Sequence, residues 1–228
     1  MEQRKRIAIY GGTFDPVHSG HLEIARRVTQ LFGIDKFLFV PARVAPHKVE
    51  REVSPALHRY AMLVLATNAE PRLCVSTVEL DGPGRQYTVD TLFHFRSRFG
   101  ASAELFFVMG ADSWAEITTW REWERLLSLA SLIVVTRPGY EISAAHVGAE
   151  IAARIVDMRG LARVEDTNSS GPGSQKIFLT DAVMLDVSAT EIRRAAGDEG
   201  SEQLNRLVPL EVAEYIRKYQ LYRNTHEA

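Results

Sequence analysis

Short apolar runs alternate along the chain with longer segments in which apolar residues recur every three or four positions. Such runs are typical of strands that are buried on both faces, and the helical spacing between them is typical of connecting helices. Each parallel pair of strands needs a connecting element, so the alternation predicts an α/β fold with a parallel sheet and helices on both faces. The predicted strands are Ile7–Tyr10, Phe37–Val40, Leu73–Val78, Leu105–Met109, Leu132–Thr136 and Val183–Val187.

The first predicted helix carries the clearest stripe. Its apolar positions are Leu22, Ala25, Val28, Leu31 and Phe32, and Gly33 directly behind them predicts the end of the helix. Further helices are predicted over Pro55–Ala69, Thr88–Phe99 and Pro209–Tyr219, the last within a C-terminal helical portion that spans residues 189–220.

One segment departs from this alternation. Residues 165–175 are rich in Gly, Ser, Pro and Asn and almost lack apolar side chains. This composition predicts a flexible surface loop, and we favour an insertion without a role over a substrate lid.

Composition narrows the class of protein. The 228 residues fit one domain, and the net charge of −2 argues against a protein whose main partner is a nucleic acid. The single cysteine, Cys74, lies in an apolar stretch and is interpreted as buried packing rather than as a nucleophile. No apolar stretch reaches the ~18 residues of a membrane span, and the start of the chain does not resemble a signal peptide. We therefore expect a cytoplasmic protein with no membrane partner.

Polar groups follow several of the predicted strands. These segments are Gly11-Gly12-Thr13, Pro41–Lys48, Gly110-Ala111-Asp112, Arg137-Pro138-Gly139 and Ser188-Ala189-Thr190. The carboxyl ends of parallel strands lie at one edge of a sheet, where open α/β sheets bind their ligands. The coincidence of glycines, hydroxyls and cations therefore predicts the site at this edge.

The stretch from Gly11 to Leu22 is the most informative of these segments. Paired glycines after a strand let backbone N–H groups approach a phosphate, and the start of the following helix favours an anion. His18 and His21 stand three residues apart at that junction, so both can face the same anion. The three-glycine spacing of dinucleotide-binding loops is absent. The alternative is an ordinary turn with two ordinary polar histidines. The combination of paired glycines, a helix start and two histidines makes this the weaker interpretation.

Gly-Gly-Thr-Phe-Asp-Pro-Val-His-x-Gly-His-Leu over residues 11–22 resembles the His-x-Gly-His motif of the nucleotidyltransferase superfamily. Almost the whole chain is similar to the bacterial nicotinate-nucleotide adenylyltransferases. Ala45 and Ala189 depart from the family's usual pattern, which has a proline and a second serine at these places. The other matching segments are Val40-Pro41 with Pro46-His47-Lys48, Tyr87–Leu92, Gly110–Ser113, Trp120, Val135–Gly139, Ser188–Arg193 and Val212–Ile216.

The resemblance implies a Rossmann-like, doubly wound, mostly parallel sheet in a single nucleotidyltransferase domain over residues 1–228. It also implies transfer of AMP from ATP to nicotinate mononucleotide, which gives deamido-NAD and pyrophosphate by direct in-line attack without a covalent intermediate. Mg²⁺ is the expected cofactor, held mainly by the ATP phosphates, and no metal site built by protein side chains is expected.

The same resemblance assigns the candidate site residues. His21, His18 and Lys48 are the catalytic candidates, with His21 on the α-phosphate. Candidates for ATP binding are Gly11, Gly12, Thr13, Phe14, His18, His21, Ser188, Thr190 and Arg193. Candidates for mononucleotide binding are Thr88, Asp112, Trp120 and Arg137.

Several of these residues have simpler interpretations. Lys48 can belong to a solvated basic loop, and the hydroxyl of Thr190 can serve only as a helix cap. A tryptophan in an apolar region is by default core; Trp114 and Trp123 keep that interpretation, whereas the resemblance favours stacking on a pyridine ring for Trp120.

Three other functions remain in competition. Pantetheine-phosphate adenylyltransferases and cytidylyltransferases share the His-x-Gly-His core but are usually shorter and lack the Gly110-Ala111-Asp112 and Trp120 pattern. A class I tRNA synthetase fragment would need a basic surface, which this composition does not indicate. The last is a nucleotide sensor without catalysis. The presence of all four candidate residues argues against it: His18, His21, Lys48 and Arg193. The oligomeric state stays open.

Overall fold

The strands form where the chain carries uninterrupted apolar residues. The computed structural model describes residues 4–44, 53–82, 86–136, 142–160, 175–181, 188–197 and 202–223. Within these residues the strands are β1 (Arg6–Gly12), β2 (Lys36–Pro41), β3 (Leu73–Val75), β4 (Glu104–Gly110), β5 (Ser131–Val135), β6 (Ile155–Asp157) and β7 (Ile177–Thr180).

Helices connect most of these strands. They are α1 (Ser19–Phe32), α2 (Ala56–Thr67), α3 (Val78–Asp81), α4 (Thr88–Phe99), α5 (Ala111–Ala115), α6 (Trp123–Leu129), α7 (Ala149–Ala152), α8 (Ala189–Gly197), α9 (Gln203–Leu207) and α10 (Leu210–Lys218), with a 3₁₀ turn at Ile117–Thr119. None of the helices within the described ranges is long and apolar enough to cross a membrane.

The seven strands form one sheet in the order β3-β2-β1-β4-β5-β7-β6, and every pairing is parallel. The chain builds outward from β1 to β2 and β3 on one side and crosses to β4 and β5 on the other. The strand order therefore reverses between β1 and β4, which opens a crevice at their carboxyl ends. The predicted Rossmann-like, doubly wound sheet is confirmed, and it is wholly parallel in the described residues.

Side chains of each strand alternate between two cores, one on each face of the sheet. Ala8, Phe106 and Ile133 point into the first core, which also takes the stripe of α1. Their neighbours Ile7 and Leu105 point into the second core, which is shared with α4 and α6. Because both faces are covered, each strand is apolar at nearly every position.

The end of α1 follows the predicted pattern. Gly33 adopts a left-handed φ of 59°, and its N–H donates to the carbonyl of Thr29. The N–H of Ile34 donates to the same carbonyl at 3.0 Å, which closes the last turn. A left-handed residue at this place strains any side chain with a Cβ, so glycine ends the helix.

One strand prediction needs correction. The predicted strand Leu73–Val78 ends at Val75, because the carbonyl of Thr77 accepts the N–H groups of Leu80 and Asp81 and turns the chain into α3. The predicted strand Val183–Val187 lies outside the described residues. The strands β6 and β7 were not predicted from the sequence. Cys74 is half-buried against the second core rather than fully buried.

The predicted loop over residues 165–175 lies outside the described residues except for Gln175. The carbonyl of Gln175 accepts a hydrogen bond from Arg154 Nε at 2.7 Å, and its side-chain oxygen accepts one from Ser131 at 3.0 Å. This contact fixes the start of the segment that leads into β7.

Candidate active site

The carboxyl end of β1 supplies the paired glycines of the site. Gly12 pairs with Pro41 of β2, and the ring of Phe14 folds back over it. A Cβ on Gly12 would lie 2.9 Å from the Phe14 ring, which is closer than real Cβ contacts allow. Phe14 itself has a φ of 50°, so the turn doubles back sharply on the end of the strand. The sequence folds this way because glycine leaves room for the ring.

His18 and His21 meet at the start of α1. Their rings stack with centroids 3.7 Å apart and planes inclined by 29°. The backbone N–H of His18 donates to Nδ1 of His21 at 3.3 Å. In a neutral His21 the proton is then on Nε2, which makes this atom the donor.

The two histidines have different surroundings. His18 is only 8% exposed, and its Nδ1 is buried without a hydrogen-bond partner among the described residues. Burial lowers the pKa of His18 from 6.5 to about 4, so this imidazole is neutral at pH 7. The ring of His21 packs edge-on against Phe14, with centroids 5.0 Å apart. Near neutral pH His18 can therefore act only as a neutral hydrogen-bonding group.

The start of α8 lies against the same loop. Arg193 donates from Nη1 to the carbonyl of Asp15 at 2.7 Å and from Nη2 to the hydroxyl of Thr190 at 2.9 Å. The hydroxyl of Ser188 accepts the N–H of Glu191 at 3.2 Å, which is a helix cap. The structure therefore brings Ser188, Thr190 and Arg193 together beside the loop that follows β1.

Asp112 stands at the carboxyl end of β4, in the first turn of α5. It is exposed, and one of its oxygens lies 2.5 Å from the place of a Cβ on Gly110. Burial raises the pKa of the neighbouring Tyr10, and the charge of Asp112 raises it further. The ring centroid of Tyr10 is 6.0 Å from that of His21. Asp112 and the histidine pair thus flank Tyr10 at the crevice between β1 and β4.

Thr88 and Trp120 lie on neighbouring segments. Thr88 is the first residue of α4, where free N–H groups are available to an anion. The guanidinium of Arg121 lies 4.7 Å from the ring centroid of Tyr87, so the residue before Thr88 contacts the residue after Trp120. This contact places the two candidates for mononucleotide binding near each other.

Trp120 is half-buried beside β4. Its ring meets Phe107 edge-on with centroids 6.2 Å apart, and its Nε1 is buried without a hydrogen-bond partner in the described part of the chain. Trp114, by contrast, is 1% exposed and donates from Nε1 to the carbonyl of Ser143 at 3.1 Å, as expected of a core tryptophan. Trp123 packs against the same core.

Two of the predicted site residues, Lys48 and Arg137, lie outside the described residues. Among the residues that are described, no group of three or more His, Cys, Asp or Glu side chains is placed to hold a metal ion. Apart from the carboxylate of Asp112, the candidate site residues that are described offer N–H groups, imidazoles and hydroxyls, which suit phosphate oxygens.

Arg59 was not predicted from the sequence; it is buried beside the loop after β1 and donates to the carbonyl of Thr13 in that loop. A signal was available, because Arg59, Met62 and Leu63 share one helical stripe and both neighbours are buried. A cation on an apolar stripe indicates a buried partner. Tyr10 and Tyr222 were also not predicted as site residues, because neither lies in a local sequence motif.

The chain is similar to known proteins over almost its whole length. The family model described as cytidylyltransferase-like matches residues 9–195. A Thermoanaerobacter protein named "Probable nicotinate-nucleotide adenylyltransferase" is 38% identical over 227 residues, which cover 100% of this chain and 99% of that relative. A Nocardioides protein of the same name is 40% identical over 212 residues, with 93% and 91% covered.

A similar fold occurs among solved structures. The nicotinic acid mononucleotide adenylyltransferase of Plasmodium falciparum, complexed with NaAD, superposes with a TM-score of 0.71 at 20% identity and covers 96% of this chain and 97% of its own. This similarity supports the fold alone, whereas the curated relatives and the family model establish the family to which the chain belongs. The chain belongs to the cytidylyltransferase-like family and, within it, to the nicotinate-nucleotide adenylyltransferases.

Proposed function

We propose that this protein transfers AMP from ATP to nicotinate mononucleotide and releases pyrophosphate, as the names of its curated relatives indicate. The product is deamido-NAD, a step of NAD biosynthesis. The observation that carries the proposal is the stacked pair His18–His21 between the glycine end of β1 and the first turn of α1. We further infer a cytoplasmic enzyme whose partners are these two nucleotides.

The reaction needs no nucleophile from the protein. An oxygen of the mononucleotide 5′-phosphate attacks the α-phosphorus of ATP, a new P–O bond forms, and the bond to the β-phosphate oxygen breaks. Catalysis of this step rests on placing two anions in line and on stabilising the charge that spreads over the α-phosphate and the leaving pyrophosphate.

The donors at the end of β1 suit that task. His21 donates from Nε2 to an α-phosphate oxygen, while its Nδ1 stays fixed by the backbone N–H of His18. His18, neutral and nearly buried, binds the triphosphate without adding a positive charge. Backbone N–H groups from Gly11 to Phe14 approach the phosphates, and Ser188, Thr190 and Arg193 border the triphosphate on the other side.

The acceptor lies across the crevice. Thr88 at the start of α4 offers a hydroxyl and N–H groups to the base carboxylate, and Trp120 stacks on the pyridine ring. The negative charge of Asp112 suits ribose hydroxyls or the shell of a metal ion rather than phosphate. Lys48 and Arg137 neutralise phosphate from the segments that follow β2 and β5.

We propose Mg²⁺ as the cofactor of the reaction; it would be held mainly by the triphosphate oxygens, and Asp112 is the described site residue whose charge suits its shell. When bound, it would withdraw charge from the α-phosphate and the leaving pyrophosphate.

The test is pyrophosphate release from ATP with a panel of acceptors: nicotinate mononucleotide, its amide, phosphopantetheine and glycerol phosphate. We expect the highest kcat/KM with nicotinate mononucleotide. Faster release with phosphopantetheine or glycerol phosphate would assign the chain to another branch of the family. ATP binding with no release for any acceptor would favour a nucleotide sensor.

A further inference from the structure

The loop between β1 and α1, residues 13–18, is buried although it contains no regular structure. Phe14 and Asp15 are each 3% exposed, and Val17 is fully buried. Loops usually lie on the surface, because buried backbone carbonyls need hydrogen-bond partners that only water otherwise supplies. Here side chains from distant parts of the chain supply hydrogen bonds: Arg193 donates to the carbonyl of Asp15, Arg59 to that of Thr13, and Tyr222 to the side chain of Asp15.

Arg59 connects this loop to the segment that follows β2. Its side chain is 1% exposed. Nη1 donates to the carbonyl of Thr13 at 2.6 Å, and Nη2 donates to the carbonyl of Ala42 at 2.7 Å. Nε donates to the carbonyl of Ser54 at 2.9 Å. One planar guanidinium thus spans the carboxyl ends of two adjacent strands, which a lysine ammonium cannot do with the same geometry.

Tyr222 holds the other part of the loop. It follows α10 near the end of the chain, and its hydroxyl donates to Oδ1 of Asp15 at 2.7 Å. The side chain of Ser54 forms a hydrogen bond with the same hydroxyl. Ser54 therefore joins both contacts, through its carbonyl to Arg59 and through its side chain to Tyr222.

We propose that Arg59 and Tyr222 are positioning residues for adenylyl transfer, which fix residues 13–15 relative to the segment after β2 and the histidine pair. The proposal rests on the proposed function, since it concerns the geometry of that reaction. Neither side chain has to touch a nucleotide. Because small displacements of reacting groups lower the rate strongly, loss of either contact lowers kcat more than it weakens substrate binding.

The experiment compares each residue with a matched control. Arg59→Lys is paired with Arg96→Lys, because Arg96 also donates to backbone carbonyls, those of Leu129 and Ala103, away from the loop. Tyr222→Phe is paired with Tyr215→Phe, whose hydroxyl instead meets Nδ1 of His58 at 2.9 Å. For each variant we would measure Tm, kcat, KM for both nucleotides, and hydrogen exchange of peptides that contain residues 13–18.

We expect Arg59→Lys to lower kcat by about tenfold or more, with KM for ATP changed by less than about threefold. Tyr222→Phe should lower kcat by about threefold to tenfold, as one lost hydrogen bond implies. Both should exchange faster in residues 13–18. Arg96→Lys and Tyr215→Phe should lose Tm to a similar degree while kcat and exchange in this loop stay within about twofold of the wild type.

The proposal is overturned if Arg59→Lys and Tyr222→Phe lose only Tm, as their controls do, with unchanged kcat and unchanged exchange in the loop. If Arg59→Lys does not fold, the comparison of Tyr222→Phe with Tyr215→Phe decides. A wild-type protein that transfers AMP to no acceptor would refute the proposed function, whereas the exchange data would still decide whether the two side chains hold the loop.

Discussion

We expect the two histidines at the start of α1 to differ in role, because they differ in surroundings. His18 is buried, neutral and stacked, whereas His21 has its Nδ1 occupied by a backbone N–H and its Nε2 left as the donor. A donor held in place before the reaction stabilises charge that develops during it. At the scale of single residues, we therefore expect His21 to act in catalysis and His18 mainly in binding.

Replacement of His21 by alanine should therefore act mainly on kcat. We expect His21→Ala to fold, to bind ATP within about tenfold of the wild type, and to lose about a hundredfold or more in kcat. His18→Ala should also weaken ATP binding. Isothermal titration with ATP beside steady-state rates measures both effects. A His21→Ala enzyme with near-normal kcat and a much higher KM for ATP would show that this histidine only binds.

Burial of His18 makes stability depend on pH. Its pKa is about 4 in the folded protein and 6.5 in the unfolded chain, so the unfolded chain binds a proton first as the pH falls. The contribution of the neutral imidazole to the free energy of unfolding is complete above about pH 6.5. It is lost as the pH falls from there to 4, and the loss amounts to about 3 kcal/mol. Urea unfolding at pH 7 and pH 4 should show that the wild type loses about this much more than His18→Gln. Parallel losses in the two proteins would contradict the burial of a neutral imidazole.

Trp120 is half-buried, with one edge on Phe107, so part of its ring is available to a ligand. Stacking of a base on an aromatic ring contributes about 1–3 kcal/mol. Trp120→Ala should raise KM for the mononucleotide by about tenfold and leave KM for ATP nearly unchanged, measured by initial rates. A variant that unfolds instead would show that the side chain belongs to the core.

Local motifs revealed some site residues and not others. Gly11 to His21 could be identified from the sequence because the glycines, the histidines and the helix start are contiguous. Tyr222 could not, because its partner Asp15 is 207 positions away. The apolar stripe of α2 indicates a buried partner for Arg59, but it does not identify that partner as Thr13, which is 46 positions away. Only the folded chain brings these pairs together.

At the scale of elements, the sequence predicts best what a long apolar pattern encodes. The strands β1, β2, β4 and β5 and the helix α4 appear where the pattern placed them. The strands β6 and β7 were not predicted because they are only three and four residues long. A strand of that length gives only a weak periodic signal in the sequence. Parallel pairing with β5, rather than local preference, makes β7 a strand.

The end of α1 offers a test of one element. Gly33→Ala places a Cβ on a residue with φ of 59°, so the free energy of unfolding should fall by about 1 kcal/mol. Gly148→Ala is the control, since that glycine has φ of −63° and open space around it, and it should change stability by less than about 0.5 kcal/mol. Urea unfolding of the two variants checks the difference. Equal losses in the free energy of unfolding would mean that the left-handed glycine at the end of α1 does not contribute to stability.

At the scale of the whole molecule, the topology decides where the chemistry lies. The strand order reverses between β1 and β4, and the two cores hold the sheet rigid from both faces. Donors that are far apart in the sequence therefore converge on one crevice. The sequence predicted this edge from strand ends alone, because parallel strands must release their following loops at the same side.

The most direct test of the account is the ratio of kcat/KM for nicotinate mononucleotide to that for its amide, measured with the wild-type enzyme and saturating ATP. We expect the N–H donors at the start of α4 to bind the carboxylate of the base. A neutral amide makes weaker hydrogen bonds with these donors, so its transition state is bound less favourably by about 1–3 kcal/mol. We expect a preference of about tenfold to a hundredfold for the acid. Equal values for the two acceptors would contradict it.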